Sequence, residues 1–143
     1  MDDLEIAKNV LHKENLTLCI VKEMKVIFKS RDKGIYPFMD ALENFREGLK
    51  GAAAADRVVG KALALLFGYA GIDAAYAQTL SLAAKSTLEK YGIRFEYDKI
   101  VDKILNAEGA DMCPFERAVS TISNPTEAYL KIMWLLRYLR GYS

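Results

Sequence analysis

The first third of the chain contains both helical and strand-like spacing of apolar residues. Leu4, Ala7 and Leu11 share one helical face, which predicts an amphipathic helix over residues 4–13. Residues 16–21 and 26–28 are rich in β-forming side chains and are joined by a short connection, which predicts an antiparallel hairpin. After Gly34, a second helix is predicted from apolar positions at helical spacing, which are Phe38, Leu42, Phe45 and Leu49.

The middle of the chain contains its longest apolar stretch. Apolar residues cover nearly the whole circumference of residues 52–69, so we predict one buried helix there, with Gly71 as its end cap. Residues 74–80 have the composition of a strand, residues 82–91 have helical spacing, and residues 93–97 alternate as a strand. The order strand, helix, strand, helix, strand predicts an α/β sheet that contains parallel strands.

The last third is predicted to be helical. Three stretches have apolar residues at helical spacing: residues 100–105, 115–122 and 128–139. Pro114 and Pro125 each suit the first turn of a helix, and Asn124 with Glu127 forms a pair like a capping box. The sequence has no repeat, low-complexity tract or linker, and 143 residues suit one domain, residues 1–143, with one buried core.

Composition and charge argue against several classes of protein. Hydrophobic residues make up 52% and charged residues 27% of the chain, which is typical of a globular domain. The 20 Lys and Arg residues are balanced by 19 Asp and Glu residues, so we expect neither nucleic acid nor a membrane as a partner. The first residues lack the pattern of a secretory signal, and the apolar stretches are shorter than the roughly 20 residues of a membrane span. We therefore expect a cytoplasmic protein.

Two segments resemble the motifs of the cytidine-deaminase superfamily. Ala54-Ala55-Asp56-Arg57 stands where that superfamily has His-Ala-Glu-Arg at the start of a central helix. Thr79-Leu80-Ser81-Leu82-Ala83-Ala84-Lys85-Ser86 stands where a Thr-Leu-Glu-Pro-Cys-x-x-Cys run opens the next helix. The resemblance implies a cytidine-deaminase-like three-layer α/β/α sandwich with a mixed sheet, to which the C-terminal helices are added.

The same resemblance implies that the zinc chemistry of the superfamily is absent. The aligned ligand positions are Ala54, Ala83 and Ser86, which offer at most one hydroxyl where zinc needs about three nitrogen, sulfur or carboxylate donors. Asp56 takes the position of the general acid/base glutamate, but without a metal it has no activated water to serve. We therefore expect no metal, no cofactor and no zinc-dependent deaminase activity.

Taken whole, the sequence resembles a family of small prokaryotic proteins that have a cytidine-deaminase-like fold and no assigned activity. Residues 52–105 and the segment Asp111-Met112-Cys113-Pro114-Phe115-Glu116 carry this resemblance. These motifs are apolar and chemically unspecific, so the resemblance implies a fold and says little about function.

Asp56 and Arg57 form the main candidate site, at the predicted first turn of a helix. One interpretation is a capping aspartate beside a surface arginine. The other is a pocket for a nucleotide-like ligand, in which Arg57 and the free helix amides face a phosphate or a ribose. Ser81, Ala54 and Thr79 would belong to the wall of the same pocket. Packing of a helix against the sheet also explains the alanines of this region.

Cys113 is a candidate reactive thiol. It precedes Pro114 and so takes a probable cap position, where the helix dipole lowers the pKa of a thiol. The nearby Asp111 and Glu116 oppose that effect. A catalytic thiol normally has a histidine base, and His12 is the only histidine of the sequence, so a structural cysteine is favoured over a thiol enzyme.

The C-terminal segment combines aromatic and basic residues. Its aromatic residues are Tyr129, Trp134, Tyr138 and Tyr142. Such a run can stack on nucleic-acid bases, but it more often forms a last helix that packs on the core or on another subunit. We favour the second interpretation, which makes a homo-oligomer plausible.

Three functional hypotheses remain from the sequence. The first is a binding or regulatory module that holds a nucleotide-derived small molecule in the former active-site cleft. The second is a metal-independent enzyme that uses Asp56 or Cys113 on a nucleotide-like substrate. The third is a purely structural or partner-binding protein, which the apolar last helix supports.

Overall fold

A mixed sheet lies at the centre of the computed structural model, which describes residues 1–105, 109 and 112–140. Within these residues the sheet has five strands in the order β2-β1-β3-β4-β5. Their bounds are β1 (Leu18–Lys22), β2 (Lys25–Ser30), β3 (Ala53–Val59), β4 (Ala74–Ser81) and β5 (Arg94–Val101). β1 pairs antiparallel with both β2 and β3, whereas β3, β4 and β5 are parallel neighbours. The predicted mixed sheet with parallel members is therefore confirmed.

Helices cover both faces of this sheet. On one face, α1 (Asp3–Lys13) packs through Leu4, Ala7 and Leu11 on β1, β3 and β4. The larger core lies on the other face, which carries α2 (Tyr36–Phe45) with a short 3₁₀ helix (Arg46–Leu49), α3 (Lys61–Ala70), α4 (Leu82–Lys90), α5 (Pro114–Ala118) and α6 (Pro125–Leu139). The predicted three-layer α/β/α sandwich with added C-terminal helices is confirmed.

Several predicted helix ends have the expected local chemistry. Asn124 Oδ1 accepts a hydrogen bond of 3.1 Å from the backbone N–H of Glu127 at the start of α6. Gly71 ends α3 with a φ of 79°, a left-handed conformation that favours glycine. Pro114 and Pro125 both lie in the first turn of a helix, as predicted.

The prediction of one helix over residues 52–69 is wrong. β3 occupies the first part of this stretch, Gly60 interrupts it, and α3 begins at Lys61. A central strand that is covered on both faces is apolar at nearly every position, so its sequence resembles that of a buried helix. The alanines of β3 are good helix formers, but here they pair with β1 and β4, and the antiparallel and parallel ladders outweigh that preference.

The prediction of a helix over residues 100–105 is also wrong. Ile100 and Val101 are the last residues of β5, and Leu105 forms an isolated antiparallel bridge with Met112. The helix predicted over residues 115–122 is shorter than expected, because α5 ends at Ala118. Asp111 and Tyr142, which entered the sequence argument, lie outside the described residues.

The helices are short relative to a lipid bilayer. In the part of the chain that the structure describes, no helix is long and apolar enough to cross a membrane.

Candidate functional site

A cavity of about 440 Å³ lies at the carboxyl end of β3, and we call it the Asp56 cavity. It is bounded by the end of β3, the start of α3, the segment before α2 and the start of α5. Polar and charged wall residues include Thr17, Lys33, Asp56, Cys113 and Glu116. Apolar wall residues include Ile35, Val58, Leu63, Ile104 and Phe115. The cavity is within the size range of sites for small organic molecules.

Asp56 places an ionisable group in this largely apolar wall. The residue is only 8% exposed. Its Oδ1 accepts a hydrogen bond of 3.2 Å from the backbone N–H of Val58. Burial disfavours the charged form and outweighs the backbone N–H groups of Val58 and Arg57, so the pKa of Asp56 rises from 3.8 to about 8. The carboxyl group is therefore mostly protonated at neutral pH and can donate a hydrogen bond as well as accept one.

Arg57 follows Asp56 in β3, and its side chain lies on the other face of the sheet. The prediction that both residues lie in the first turn of a helix is wrong, because both belong to β3. Side chains of a strand alternate between the two faces of the sheet, so those of Asp56 and Arg57 lie on opposite faces. The Arg57 guanidinium donates to the carbonyl oxygens of Leu16 at 2.8 Å and Leu11 at 3.2 Å, and to Oε1 of Gln78 at 2.8 Å. It thus satisfies carbonyl groups at the end of α1 and just beyond it.

A chain of hydrogen bonds continues from Arg57 across the α1 face. Arg57 Nη1 lies 3.2 Å from Nδ1 of His12, and His12 Nε2 lies 3.1 Å from the hydroxyl of Tyr76. Tyr76 in turn donates to Oδ2 of Asp98 at 2.6 Å. Since arginine can only donate and the Tyr76 proton is given to Asp98, the network assigns the acceptor role to Nδ1 of His12 and the donor role to Nε2. Burial and then the Asp98 carboxylate raise the pKa of Tyr76.

The start of α3 is occupied by a side chain from α5. The two carboxylate oxygens of Glu116 accept hydrogen bonds of 2.7 Å from the backbone N–H groups of Lys61 and Ala62. A Cβ at position 60 would lie under 3.0 Å from the Glu116 carboxylate, so a larger residue there would displace this carboxylate from its two hydrogen bonds. Burial raises the pKa of Glu116, while the N–H groups of Ala62 and Lys61 oppose that shift.

A smaller cavity of about 160 Å³ adjoins the first, and we call it the Ser81 cavity. Its wall includes Lys61, Ser81, Ala83 and Lys103. Ser81 is buried at the N-terminus of α4 and accepts a hydrogen bond of 3.1 Å from the N–H of Ala84, so its hydroxyl caps that helix. Ile104 and Glu116 contribute to the walls of both cavities.

The other two predicted wall residues lie elsewhere. Ala54 is fully buried in the core of the α3 face, and Thr79 is a half-buried residue of β4 that pairs with Val58. Neither is among the described residues that line the two cavities. Of the candidates from the sequence, the structure thus brings Asp56, Arg57 and Cys113 to one cavity and Ser81 to its neighbour.

The two cysteines have different surroundings. Cys113 is half-buried in the wall of the Asp56 cavity and is the residue before α5, as predicted. Cys19 is fully buried in β1, and burial raises its pKa to about 11. Both are free thiols. Cys113 is therefore the thiol that a reagent in the Asp56 cavity would meet.

The side chains at these helix starts do not fit the zinc site of the cytidine-deaminase superfamily. The start of α3 offers Lys61 and Ala62, and the start of α4 offers Ser81 and Ala83, none of which supplies a thiolate or imidazole donor. Among the described residues, no group of three or more His, Cys, Asp or Glu side chains is arranged to hold a metal ion. The two helix starts therefore lack the donor set of a zinc site.

Sequence reasoning missed the two residues that close the start of α3. The sequence presents Glu116 only as an acid near Cys113, and it predicts that Gly60 is an interior position of a helix. Glu116 and Lys61 are 55 positions apart, so no local motif connects them. The one local signal was Gly60 itself, which interrupts an apolar run and marks a close approach of another group.

The fold and the cavity define an α/β domain with a mixed sheet and a site of small-molecule size at the carboxyl end of a central strand. A family model described as "TM1506: Domain of unknown function (DUF1893)" matches residues 6–134. The chain therefore belongs to the DUF1893 family. A family without an assigned activity is what the sequence predicted.

The solved structures similar to this chain include two from Thermotoga maritima. The first is a DUF1893 family protein (TM1506) from Thermotoga maritima, with 30% sequence identity and a TM-score of 0.84 over 92% of this chain and 88% of that chain. The second is a diaminohydroxyphosphoribosylaminopyrimidine deaminase/5-amino-6-(5-phosphoribosylamino)uracil reductase from the same organism. It has 16% identity and a TM-score of 0.46 over 83% of this chain and 40% of that one, so its similarity to this chain is weak. No curated protein sequence matches the chain.

Proposed function

We propose that this protein binds a nucleotide-derived small molecule in the Asp56 cavity and that it has a binding or regulatory role. The observation that carries this proposal is the buried Asp56 carboxyl group in the wall of a cavity of about 440 Å³. We propose that it acts in the cytoplasm, as the sequence predicted.

Asp56 has the hydrogen-bonding capacity that a heterocyclic base requires. A protonated carboxyl group donates through its O–H and accepts at its other oxygen. The edge of a nucleobase presents a ring nitrogen acceptor beside an amino donor, or the reverse, so one carboxyl group can satisfy two adjacent atoms of the base. The Val58 N–H already bonds one oxygen of this group, so a ligand that lacks such an edge leaves the carboxyl O–H without an acceptor, which costs about 1–3 kcal/mol.

The remaining wall supplies apolar contact for a planar ring. Ile35, Leu63 and Phe115 line the same cavity as Asp56. Apolar walls with few polar groups are typical of small-molecule sites, because burial supplies affinity and the polar groups fix the orientation of the ligand. The Arg57 guanidinium, which one interpretation of the sequence placed opposite a phosphate or a ribose, has no part in this proposal because it donates to the carbonyl oxygens of Leu16 and Leu11.

A thermal-shift panel followed by calorimetry tests the proposal. Bases, nucleosides and nucleotides are added to the wild type, to Asp56→Ala and to Asp40→Asn, whose exposed carboxyl group on α2 is a matched control. At a hundredfold excess of ligand over its Kd, stabilisation of about 2.7 kcal/mol is expected for the wild type and the control. The Asp56→Ala variant is expected to bind at least about tenfold more weakly, from the loss of about 1.4 kcal/mol. Failure of every compound to stabilise the wild type, or equal binding by Asp56→Ala, would contradict the proposal.

A second candidate function is a metal-independent enzyme, and one observation favours it. Cys113 and Asp56 line the same cavity, so a thiol nucleophile and a carboxyl group of perturbed pKa face one bound molecule. Turnover of a nucleotide-like compound that is lost in both Cys113→Ser and Asp56→Asn would support it. Binding without turnover would leave the binding role alone.

A third candidate is a partner-binding role through the last helix. The exposed apolar residues of α6 are Leu130, Trp134, Tyr138 and Leu139, and the rings of Trp134 and Tyr138 stack with centroids 5.6 Å apart. We propose a homo-oligomer through this surface, as the sequence suggested. Light scattering at micromolar concentration tests this proposal, because a monomer at that concentration would contradict the homo-oligomer.

A further inference from the structure

Glu116 stands between the two cavities, at a position where a helix would otherwise bind an anion. The free N–H groups of a first helical turn and the helix dipole together attract phosphate and carboxylate groups. In α3, the N–H groups of Lys61 and Ala62 are already bonded to the Glu116 carboxylate at 2.7 Å each. Bonds of this length are typical of a charge-assisted contact.

The packing around Glu116 shows that this carboxylate is part of the wall. Gly60 leaves room for it, and a side chain at that position would collide with it. Glu116 lines both the Asp56 cavity and the Ser81 cavity. An incoming phosphate at the start of α3 would meet occupied N–H groups and a negative charge of the protein itself, which repels it more strongly in a partly buried site than in water.

We infer that Glu116 is a specificity-determining residue: it occupies the anion position of α3 and makes the Asp56 cavity select ligands without a phosphate group. This inference rests on the proposed function, since it names the charge class of the ligand for the same site. Nucleosides and free bases bind, and the corresponding phosphates are excluded by the charge of Glu116 and because Glu116 occupies the N–H groups of Lys61 and Ala62.

The positive side chains nearby do not reverse this selection. Lys61 donates through Nζ to the carbonyl oxygen of Ser120 at 3.1 Å, so its ammonium group is directed to the end of α5. Lys33 and Lys103 are exposed wall residues of the Asp56 cavity and the Ser81 cavity, where solvent screens their charges. None of the three supplies the pair of N–H donors that Glu116 has taken.

The first experiment uses inorganic phosphate as the probe, so that it does not depend on the organic ligand. Melting temperatures are measured in phosphate and in chloride at matched ionic strength for the wild type, Glu116→Ala and Glu89→Ala, an exposed glutamate of α4 that serves as the control. A rise in melting temperature in phosphate that exceeds the general salt effect on the wild type and on Glu89→Ala by roughly 3 °C is expected for Glu116→Ala, because this variant frees the N–H groups of Lys61 and Ala62. A rise of the same size in the wild type, or no rise in Glu116→Ala, overturns the inference.

The second experiment compares a nucleoside with its 5′-monophosphate by calorimetry. The wild type is expected to bind the nucleoside at least tenfold more tightly, and Glu116→Ala to lose that preference. Glu116→Gln, which keeps the size of the side chain and removes its charge, replaces Glu116→Ala in both experiments if circular dichroism shows that the alanine variant does not fold.

The outcomes separate the inference from the proposed function. Equal wild-type affinity for nucleoside and monophosphate overturns the selection by Glu116 and leaves the binding role intact. If no nucleoside or nucleotide binds any variant, the proposed function fails, and the phosphate experiment alone decides whether Glu116 holds the anion position.

Discussion

Gly60 and Glu116 are in such close contact that a side chain at position 60 would displace the Glu116 carboxylate. A Cβ at residue 60 would lie under 3.0 Å from the Glu116 carboxylate. We expect Gly60→Ala to destabilise the protein by about 1–3 kcal/mol, the usual range for overpacking. In a Glu116→Ala background the same change should have an effect smaller by at least about 1 kcal/mol, because the obstructing group is gone. Urea unfolding of the four proteins measures this coupling, and additive effects would rule out the contact.

The raised pKa of Asp56 predicts that the protein loses stability as the pH rises. The folded protein keeps a proton up to about pH 8 that the unfolded chain releases near pH 3.8. The free energy of unfolding should therefore fall between about pH 4 and pH 8 through this group, by up to several kcal/mol, and level off above that. Asp56→Asn removes the titration while keeping an acceptor for the Val58 N–H, so its stability relative to the wild type should increase with pH.

Urea unfolding at pH 5, 7 and 9 tests this prediction. Asp40→Asn should follow the wild-type curve, because Asp40 is exposed on α2. Parallel curves for the wild type and Asp56→Asn across the three values would mean that Asp56 is ionised in the folded protein at neutral pH.

The two cysteines should react at very different rates in the folded protein. Cys19 is fully buried and its pKa is about 11, so we expect iodoacetamide to leave it unmodified until the chain unfolds. Cys113 lines the Asp56 cavity and should be alkylated, more slowly when a ligand fills the cavity. Intact mass and peptide mapping with a Cys113→Ala control measure both sites. Unchanged Cys113 labelling at saturating ligand would show that the ligand binds elsewhere.

Arg57 should contribute to stability rather than to ligand affinity. Its guanidinium donates to the carbonyl oxygens of Leu11 and Leu16, and these groups lose a charged donor in Arg57→Ala. We expect Arg57→Ala to lower the free energy of unfolding by about 2–3 kcal/mol, within the range for hydrogen bonds to charged groups. Gln78→Ala, which removes one partner of the same guanidinium, should have a smaller effect. A large loss of ligand affinity in Arg57→Ala, with unchanged stability, would restore the role that the sequence assigned to this residue.

The purified protein should contain zinc well below one ion per chain. The starts of α3 and α4 carry Lys61, Ala62, Ser81 and Ala83, and these residues do not supply the donors of a zinc site. Elemental analysis and the melting temperature in chelator check this expectation. One zinc per chain, lost together with stability on chelation, would show that ligands converge elsewhere.

The sequence predicted most elements of the fold because their periodicity is clear. α1, the β1–β2 hairpin, α4 and α6 each have one polar and one apolar face, or turn residues that mark their ends. β3 has no polar face, since α1 covers one face and the larger core covers the other, and Gly60 is the one local mark of its end. Its alanines predict a helix locally, and only the pairing with β1 and β4 makes it a strand.

Part of the candidate site could also be predicted from local features of the sequence. The residues next to Asp56 and next to Cys113 in the sequence predict each of them as a candidate, and the structure brings the two to one cavity. Glu116 could not be chosen in that way, because its partners are the backbone N–H groups of a helix more than fifty positions earlier. Backbone groups leave no signature in a sequence, so a side chain that binds them over that distance has to be found in three dimensions.

The long separation between Glu116 and the start of α3 also orders events during synthesis. All five strands described above are complete at Val101, so α5 follows both the strands and the start of α3 in the order of synthesis. Contacts between distant positions form late, because a long loop must close before they contribute. The sheet can therefore assemble on the nascent chain while the amides of Lys61 and Ala62 still face water. The cavity acquires its last wall only when the segment that begins at Pro114 folds back onto α3.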